Sequence, residues 1–431
     1  MDRIKAIISN QGLKRYFLNT LWLYATQGVR LLAGFFIGLW VARFLGPTEF
    51  GIYNYVISFI AIFSAFASFG TNEQLVTELV GRPEHTQQIL NASFHLRTVL
   101  GLVSILTIYI IALVTDDSAK FYLYISAPII LFQTFDLIDV YYRATVNAKT
   151  SSMIRILQIL ISSALKIYCI QSQAPLTYFF YIFVFDYGSY AILIYLSYKK
   201  INDGFILLKP HIEEIRRIIF NCWPLMLMAI SNNILSKLDQ VLIGKYLVST
   251  NVGYYAVSSR LVELFGTFPL LAFSSLFTAI LNAKKSSQIE YEKRLKHLSR
   301  FLRWASLLGA VFTYYFSSEI IITLFGSSFA PSAEILKIHS LNFLFLTMSI
   351  VSMHWYIAEG KNNYLMIKTV IAGIFSILIN MLLIPHFGIK GAAVGSVITH
   401  FIFYYAYDFI NPKTRQCFYL NSDLFSFIFK K

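Results

Sequence analysis

The sequence predicts an all-α integral membrane protein of about 12 transmembrane helices in two six-helix bundles. Three observations carry that expectation: long apolar windows, one-sided basic loops, and an internal repeat. Hydrophobic residues make up 57% of the chain and aromatic residues 17%, but charged residues only 13%. Soluble domains carry roughly 25% charged residues. Apolar windows fall near 17–42, 50–70, 95–114, 121–140, 152–170, 176–198, 217–244, 253–280, 301–325, 332–357, 364–384 and 389–410. Each is near the length of about 20 residues that a helix needs to cross the hydrocarbon. They are too long and too continuously apolar for barrel strands, which alternate over about ten residues.

The net charge of +14 is explained by position. With the N-terminus inside and the loops alternating, Lys and Arg crowd the inner loops. The outer loops hold only Arg43, Lys120, Lys245 and Lys390. That bias places both termini in the cytoplasm. The excess is therefore mostly topological, with a smaller share from attraction to anionic lipid. Nucleic acid is not an expected partner. Cys169, Cys222 and Cys417 are dispersed, without metal or disulfide spacing. The opening MDRIKAIISNQGLKRYF reads as a basic amphipathic lead-in on the cytoplasmic surface, not as a signal peptide. The sequon Asn91-Ala92-Ser93 falls on the cytoplasmic side and is read as chance.

The repeat sets the organisation. VARFLGPTEFGIYNY starts at Val41 and IGKYLVSTNVGYYAV at Ile243. At an offset of 202 residues Arg43 meets Lys245, Thr48 meets Thr250, Gly51 meets Gly253 and Tyr53 meets Tyr255. A fainter echo at 212 pairs NAKTSSMIRI, from Asn147, with EGKNNYLMIK, from Glu359. Two parallel six-span halves explain both, an architecture that in transporters puts the site at the repeat interface. The halves are expected at 1–198 and 218–431, joined by a cytoplasmic linker at 199–217. A second inner connection, 283–303, contains QIEYEKRLKHLSRFLR, which is amphipathic and basic. The outer loops are short, with too little material for an enzyme working on the outer face.

Charges inside the spans are the candidate site. A charge at the bilayer centre costs about 2.5–3.5 kcal/mol on insertion scales and usually faces a bundle interior or a wet cavity. Span seven carries Asn233, Lys237, Gln240 and Gly244 on one helical face, with Asn232, Ser236 and Asp239 beside it. Span one carries Thr20, Tyr24, Gln27, Arg30, Gly34 and Gly38 in a similar stripe. Span eight adds Arg260 and Glu263. Two readings stand. Asp239 with Arg260, and Lys237 with Glu263, are ion pairs that lock the hairpin; or the charges serve a polar route. The repeat favours the second. Subtracting 202 puts Phe35, Ile37, Ser58 and Ala61 at the places of Lys237, Asp239, Arg260 and Glu263, so the fold alone does not require these charges. Arg30 lies deepest, where snorkelling is hardest. Asp136 and Asp139 are either solvated or paired with Arg143, or are coupling acids. Lys166, Asp186, Lys337, His339, His354 and His400 read as isolated, locally satisfied residues. A P-loop, a metal-ligand cluster and a Gly-x-Ser-x-Gly elbow are all missing. The sequence thus points to no catalytic residue, cofactor or metal, and to transport driven by a gradient, a partner or substrate flow.

FLNTLWLYATQGVRLLAGFFIGLWVARFLGPTEFGIYNYVISF and KLDQVLIGKYLVSTNVGYYAVSSRLVEL resemble the Wzx-type polysaccharide flippases. These belong to the multidrug/oligosaccharidyl-lipid/polysaccharide exporter superfamily. The resemblance covers nearly the whole chain. It implies V-shaped halves like those of multidrug exporters, a cationic lumen, and a place in a bacterial inner membrane. The implied cargo is an undecaprenyl-diphosphate-linked oligosaccharide, moved to the outer leaflet for O-antigen or capsule assembly. Polysaccharide polymerase and chain-length machinery are implied partners beside membrane lipid. The positions that match the family's cationic lumen look like Arg30, Lys237, Asp239 and Arg260, and the candidate substrate-binding residues are Arg30, Lys237 and Arg260 with Gln27, Asn233 and Gln240. Asp136, Asp139, Asp239 and Glu263 are the candidate coupling acids. Arg and Lys suit the diphosphate, Arg bidentately, and neutral amides suit sugar hydroxyls. Two alternatives are a cation-coupled drug exporter of the same superfamily and a membrane polymerase or glycosyltransferase. The exporter would favour an acidic lumen, and the enzyme would need a catalytic outer loop or an acidic sugar-nucleotide motif.

Overall fold

The computed structural model describes residues 11–114, 118–202 and 209–422. The first ten residues of the lead-in, linker residues 203–208 and the tail 423–431 lie outside the described residues. The described secondary structure is all helical, as the composition predicts. In chain order the helices are α1 Gln11–Ala67, α2 Asn72–Gly81, α3 Thr86–Val114, α4 Lys120–Ser126, α5 Ile129–Phe132, α6 Asp136–Ala144, α7 Ala148–Gln171 and α8 Leu176–Lys199. They continue as α9 Ile212–Tyr246, α10 Ser249–Ser286, α11 Gln288–Tyr315, α12 Ser317–Phe325, α13 Ser332–His339, α14 Asn342–Ala358, α15 Asn362–Phe401, α16 Tyr407–Ile410 and α17 Arg415–Ser422.

Among the described residues eight stretches are long and apolar enough to cross a membrane, and two bent pairs, α11 with α12 and α13 with α14, add two more. Two of the eight are double. The first is broken at Gly46 (φ 68°, ψ 177°) and the last at Gly388 (φ 60°, ψ −143°). Counted so, the expected number of about 12 spans is met. Gly46 takes a positive φ that a side chain disfavours. Pro47 follows, pre-set for the first turn of a new helix.

Chain contacts divide the protein into two compact units. Unit one is Met1–Leu45 with Val56–Ile230, and unit two is Gly46–Tyr55 with Ser231–Lys431. In unit one the core gathers Leu75, Leu137, Ile138, Tyr142 and Tyr190 from α2, α6 and α8. In unit two Phe273, Leu302, Trp355 and Tyr356 form one cluster, closed by Cys417 and Leu420 of α17.

The repeat is visible in helix boundaries. The helix after the Gly46 break opens at Pro47, and α10 opens at Ser249, 202 residues on. Likewise α3 opens at Thr86 and α11 at Gln288. The two copies of the Gly-x-Tyr corner also touch, both within unit two. A Cβ on Gly51 would collide with the Ser249 carbonyl, and one on Gly253 with the Pro47 carbonyl. Between them the hydroxyls of Thr48 and Thr250 lie 2.8 Å apart. Swapping each residue for its partner 202 positions away leaves these contacts unchanged, so the crossing has a local two-fold axis. Phe329 seals one side, edge-on to Phe50 and Tyr254 at centroid distances of 6.0 and 6.4 Å.

A methyl at either glycine must push two backbones apart, and overpacking of this kind costs about 1–3 kcal/mol. Gly51→Ala and Gly253→Ala are each expected to lower the thermal unfolding midpoint in detergent. Gly28→Ala, with open space beyond its Cβ, is expected to leave it unchanged.

Candidate functional site

In unit two the polar residues of α9 and α10 sort into two arrangements. Lys237 Nζ lies 2.6 Å from Glu263 Oε1, an ion pair with the acid half in the open. Arg260, half-buried, shares the electrostatic field of Glu263 and of Tyr53 from the first corner. One of the two locking pairs that the sequence allows is therefore present. Asp239 differs. It is buried, and its carboxylate accepts hydrogen bonds from the Tyr255 hydroxyl and, at 2.8 Å, from Asn380 Nδ2 of α15. The expected partner, Arg260, lies five residues beyond Tyr255 and hence about 140° further round α10. Only Tyr255 can face α9 there. On the same helix Gln240 is buried and Asn233 half-buried. The carboxamide Oδ1 of Asn380 is buried without a hydrogen bond among the described residues.

In unit one Arg30 and Gln27 are exposed on α1, as are Thr20 and Tyr24 of the same stripe. The two acids of α6 go to different cations. Asp139 Oδ2 is 3.5 Å from Arg143, which also reaches Glu73 at 3.1 Å. Asp136 instead pairs with Arg155 of α7 at 3.0 Å, and the Arg155 guanidinium stacks on Tyr190 with 3.2 Å to the ring centroid. At the start of α9, Glu214 takes a bidentate contact from Arg82 at 2.9 and 3.0 Å. That carboxylate, the largest influence, holds the Arg82 guanidinium above its ordinary range.

Two residues read as isolated are partners. Lys166 Nζ is 3.3 Å from Asp186 Oδ2, and Ser162 Oγ donates to the same oxygen at 2.8 Å. The histidines each have a side-chain partner, His339 with Ser258 at 2.9 Å and His400 with Asn342 at 3.0 Å, while His339 Nε2 is buried without a hydrogen bond among the described residues. Sequence reasoning missed the most deeply buried ion pair, Lys368 with Asp408 at 2.9 Å. Asp408 also accepts from the Tyr356 hydroxyl at 2.6 Å. A signal was present: Lys368 lies 20 residues before the break at Gly388 and Asp408 lies 20 after it. Folding the chain back at that glycine brings them level.

The description "Polysaccharide biosynthesis protein" matches residues 40–334. The chain belongs to that family. CapF of Staphylococcus aureus, named a capsular polysaccharide biosynthesis protein, is 23% identical over 408 residues, covering 90% of this chain and 98% of CapF. Agl15 of Haloferax volcanii, a probable low-salt glycan biosynthesis flippase, is 24% identical over 195 residues. The match to Agl15 spans 44% of this chain and 41% of Agl15. A shorter match, 33% over 93 residues, reaches an uncharacterised membrane protein of Methanocaldococcus jannaschii and spans 18% of it. Solved structures share the fold of this family member. The lipid II flippase MurJ in an inward closed conformation gives a TM-score of 0.71 at 16% identity, covering 96% of this chain and 92% of MurJ. An inward-facing MATE multidrug transporter gives 0.70 at 14%, covering 92% and 96%. The expected likeness to exporter-superfamily flippases therefore holds.

Removing one partner of a buried ion pair leaves an uncompensated charge and costs about 3–5 kcal/mol. Lys368→Met and Asp408→Leu are each expected to destabilise the protein by that order in thermal unfolding. The double variant is expected to recover most of the loss.

Proposed function

We propose that this protein is a flippase for undecaprenyl-diphosphate-linked oligosaccharide units, supplying O-antigen or capsular polysaccharide assembly from a bacterial inner membrane. The observation that carries the reading is a set of cations, Arg30, Arg260 and Lys237, held in membrane spans of a polysaccharide-biosynthesis family member with a transporter fold. A sugar diphosphate cannot enter hydrocarbon unaided, and guanidinium groups bind diphosphate bidentately at low dielectric. Alternating access moves the head group while the lipid tail stays in the bilayer. The names of CapF and Agl15 support a glycan cargo, and that of MurJ supports a lipid-linked one.

Within this reading the cations differ in readiness. Arg30 is exposed and leads. Arg260 follows. Lys237 is already occupied by Glu263 and must exchange that carboxylate for phosphate. Gln27, Asn233 and Gln240 serve the sugar hydroxyls. Among the acids, Asp136, Asp139 and Glu263 each sit against a cation. Asp239 is held by neutral donors and is the coupling acid of choice, since a proton or cation arriving there meets no competing Lys or Arg in its hydrogen-bond shell. Both termini are cytoplasmic, and polymerase and chain-length machinery take up the product.

In a strain lacking the native gene, Arg30→Ala and Arg260→Ala are expected to insert normally and to abolish surface polymer by immunoblot. Normal polymer in both variants overturns the cationic mechanism. Asp239→Asn is expected to keep cargo binding in proteoliposomes and lose stimulation of flipping by an imposed ion gradient. Unchanged stimulation excludes Asp239 from coupling.

A further inference from the structure

We propose that the first four turns of α11 form a docking face for the head group of an anionic phospholipid of the surrounding leaflet. At about 1.5 Å per residue the 28 residues of α11 reach about 42 Å. Its apolar part begins only at Phe301, so Gln288–Arg300 stands clear of the hydrocarbon. Ile289, Lys293, Lys296, Arg300 and Trp304 follow at steps of four, three, four and four, with His297 beside them, and share one helix face. Lys293, Lys296 and His297 are exposed. The opposite face, Tyr291, Leu295, Ser299 and Leu302, is buried, which fixes the helix and aims the cations outward.

Two features make this a lipid surface rather than a merely solvated one. The basic stripe is bracketed by apolar side chains left in the open: Ile289 is 82% exposed, Phe301 66% and Trp304 43%. Trp at the edge of an apolar segment marks the head-group level. The acids of the helix are engaged, with Glu290 at the edge of the stripe in the field of Lys293 and His297. Glu290 pairs with Arg294 at 2.7 Å, and Glu292 accepts from Gln288 and Gln416 at 3.3 Å each. The face keeps a net positive charge, the complement of a phosphodiester between an aqueous and an apolar edge.

The repeat shows that the fold does not require this face. Helix α3 opens 202 residues earlier, with Asn91, Phe94 and Thr98 in the places of Lys293, Lys296 and Arg300. The first half thus builds a helix in the same register without the three cations, and there Asn91 is buried where Lys293 is exposed.

The test is independent of the flippase reading. Full-length protein in neutral detergent is titrated with phosphatidylglycerol or phosphatidylcholine, reading the thermal midpoint and lipid retention by native mass spectrometry. Wild type is expected to retain phosphatidylglycerol preferentially, with the preference falling as salt rises. Lys293→Gln with Lys296→Gln is expected to weaken that binding about fivefold per lysine and keep the phosphatidylcholine response and unfolding midpoint of wild type. Lys245→Gln, an exposed cation elsewhere, is expected to change neither. Equal responses to the two lipids in wild type overturn the proposal. So does full phosphatidylglycerol retention in the double variant, or an equal loss in Lys245→Gln.

Discussion

The constraint on which the two copies of the corner rest is the absence of two side chains. Gly51 and Gly253 bring backbone against backbone, and nothing larger than hydrogen fits. Helices in membranes gain little from the hydrophobic effect against lipid, so close approach of small residues is a main source of packing energy. The hydroxyl pair Thr48–Thr250 at 2.8 Å adds a polar clasp where an unpaired group would be costly. The surrounding residues follow from this crossing. Tyr255, two positions beyond Gly253, is brought level with Asp239, and Tyr55 lies against Gly244.

Charge placement obeys a second economy. Within the spans most carboxylates have a cation at hand: Asp136 has Arg155, Asp186 has Lys166, Glu263 has Lys237 and Asp408 has Lys368. Desolvation makes an unpaired carboxylate expensive, and pairing offsets part of that cost. Asp239 departs from the pattern, with a phenol and a carboxamide in place of a cation. Asp239 breaks the local rule in the buried part of unit two, and such a residue is where function is to be sought.

The spans, the repeat and the corner were legible because they are written in hydropathy and in short spacings. Helix openings 202 residues apart, at Thr86 and Gln288, follow the same register as the aligned glycines. The Lys237–Glu263 pair was within reach too. Of the two readings open for Asp239, pairing with Arg260 compares depth alone, and helical phase turns Arg260 away. Lys166–Asp186 and Lys368–Asp408 escaped because their members look solitary along the chain. Each pair straddles a turn almost evenly. Reflecting residue numbers about 176, at the start of α8, and about Gly388 exposes both, a rule that hydropathy windows do not contain.

The two-fold symmetry of the corner has a consequence for descent. A contact in which Pro47 meets Gly253 while Gly51 meets Ser249 is isologous, as in a symmetric dimer interface. Such a surface is complementary to itself, so two identical six-helix polypeptides would already possess everything needed to form it. Gene fusion would then add no new contact at this point and would merely make the association permanent. Once joined, the copies could diverge away from the crossing, where Thr48 and Thr250, Gly51 and Gly253, and Tyr53 and Tyr255 keep their identity. That freedom is recorded in Phe35 and Ile37 remaining apolar where their counterparts became Lys237 and Asp239.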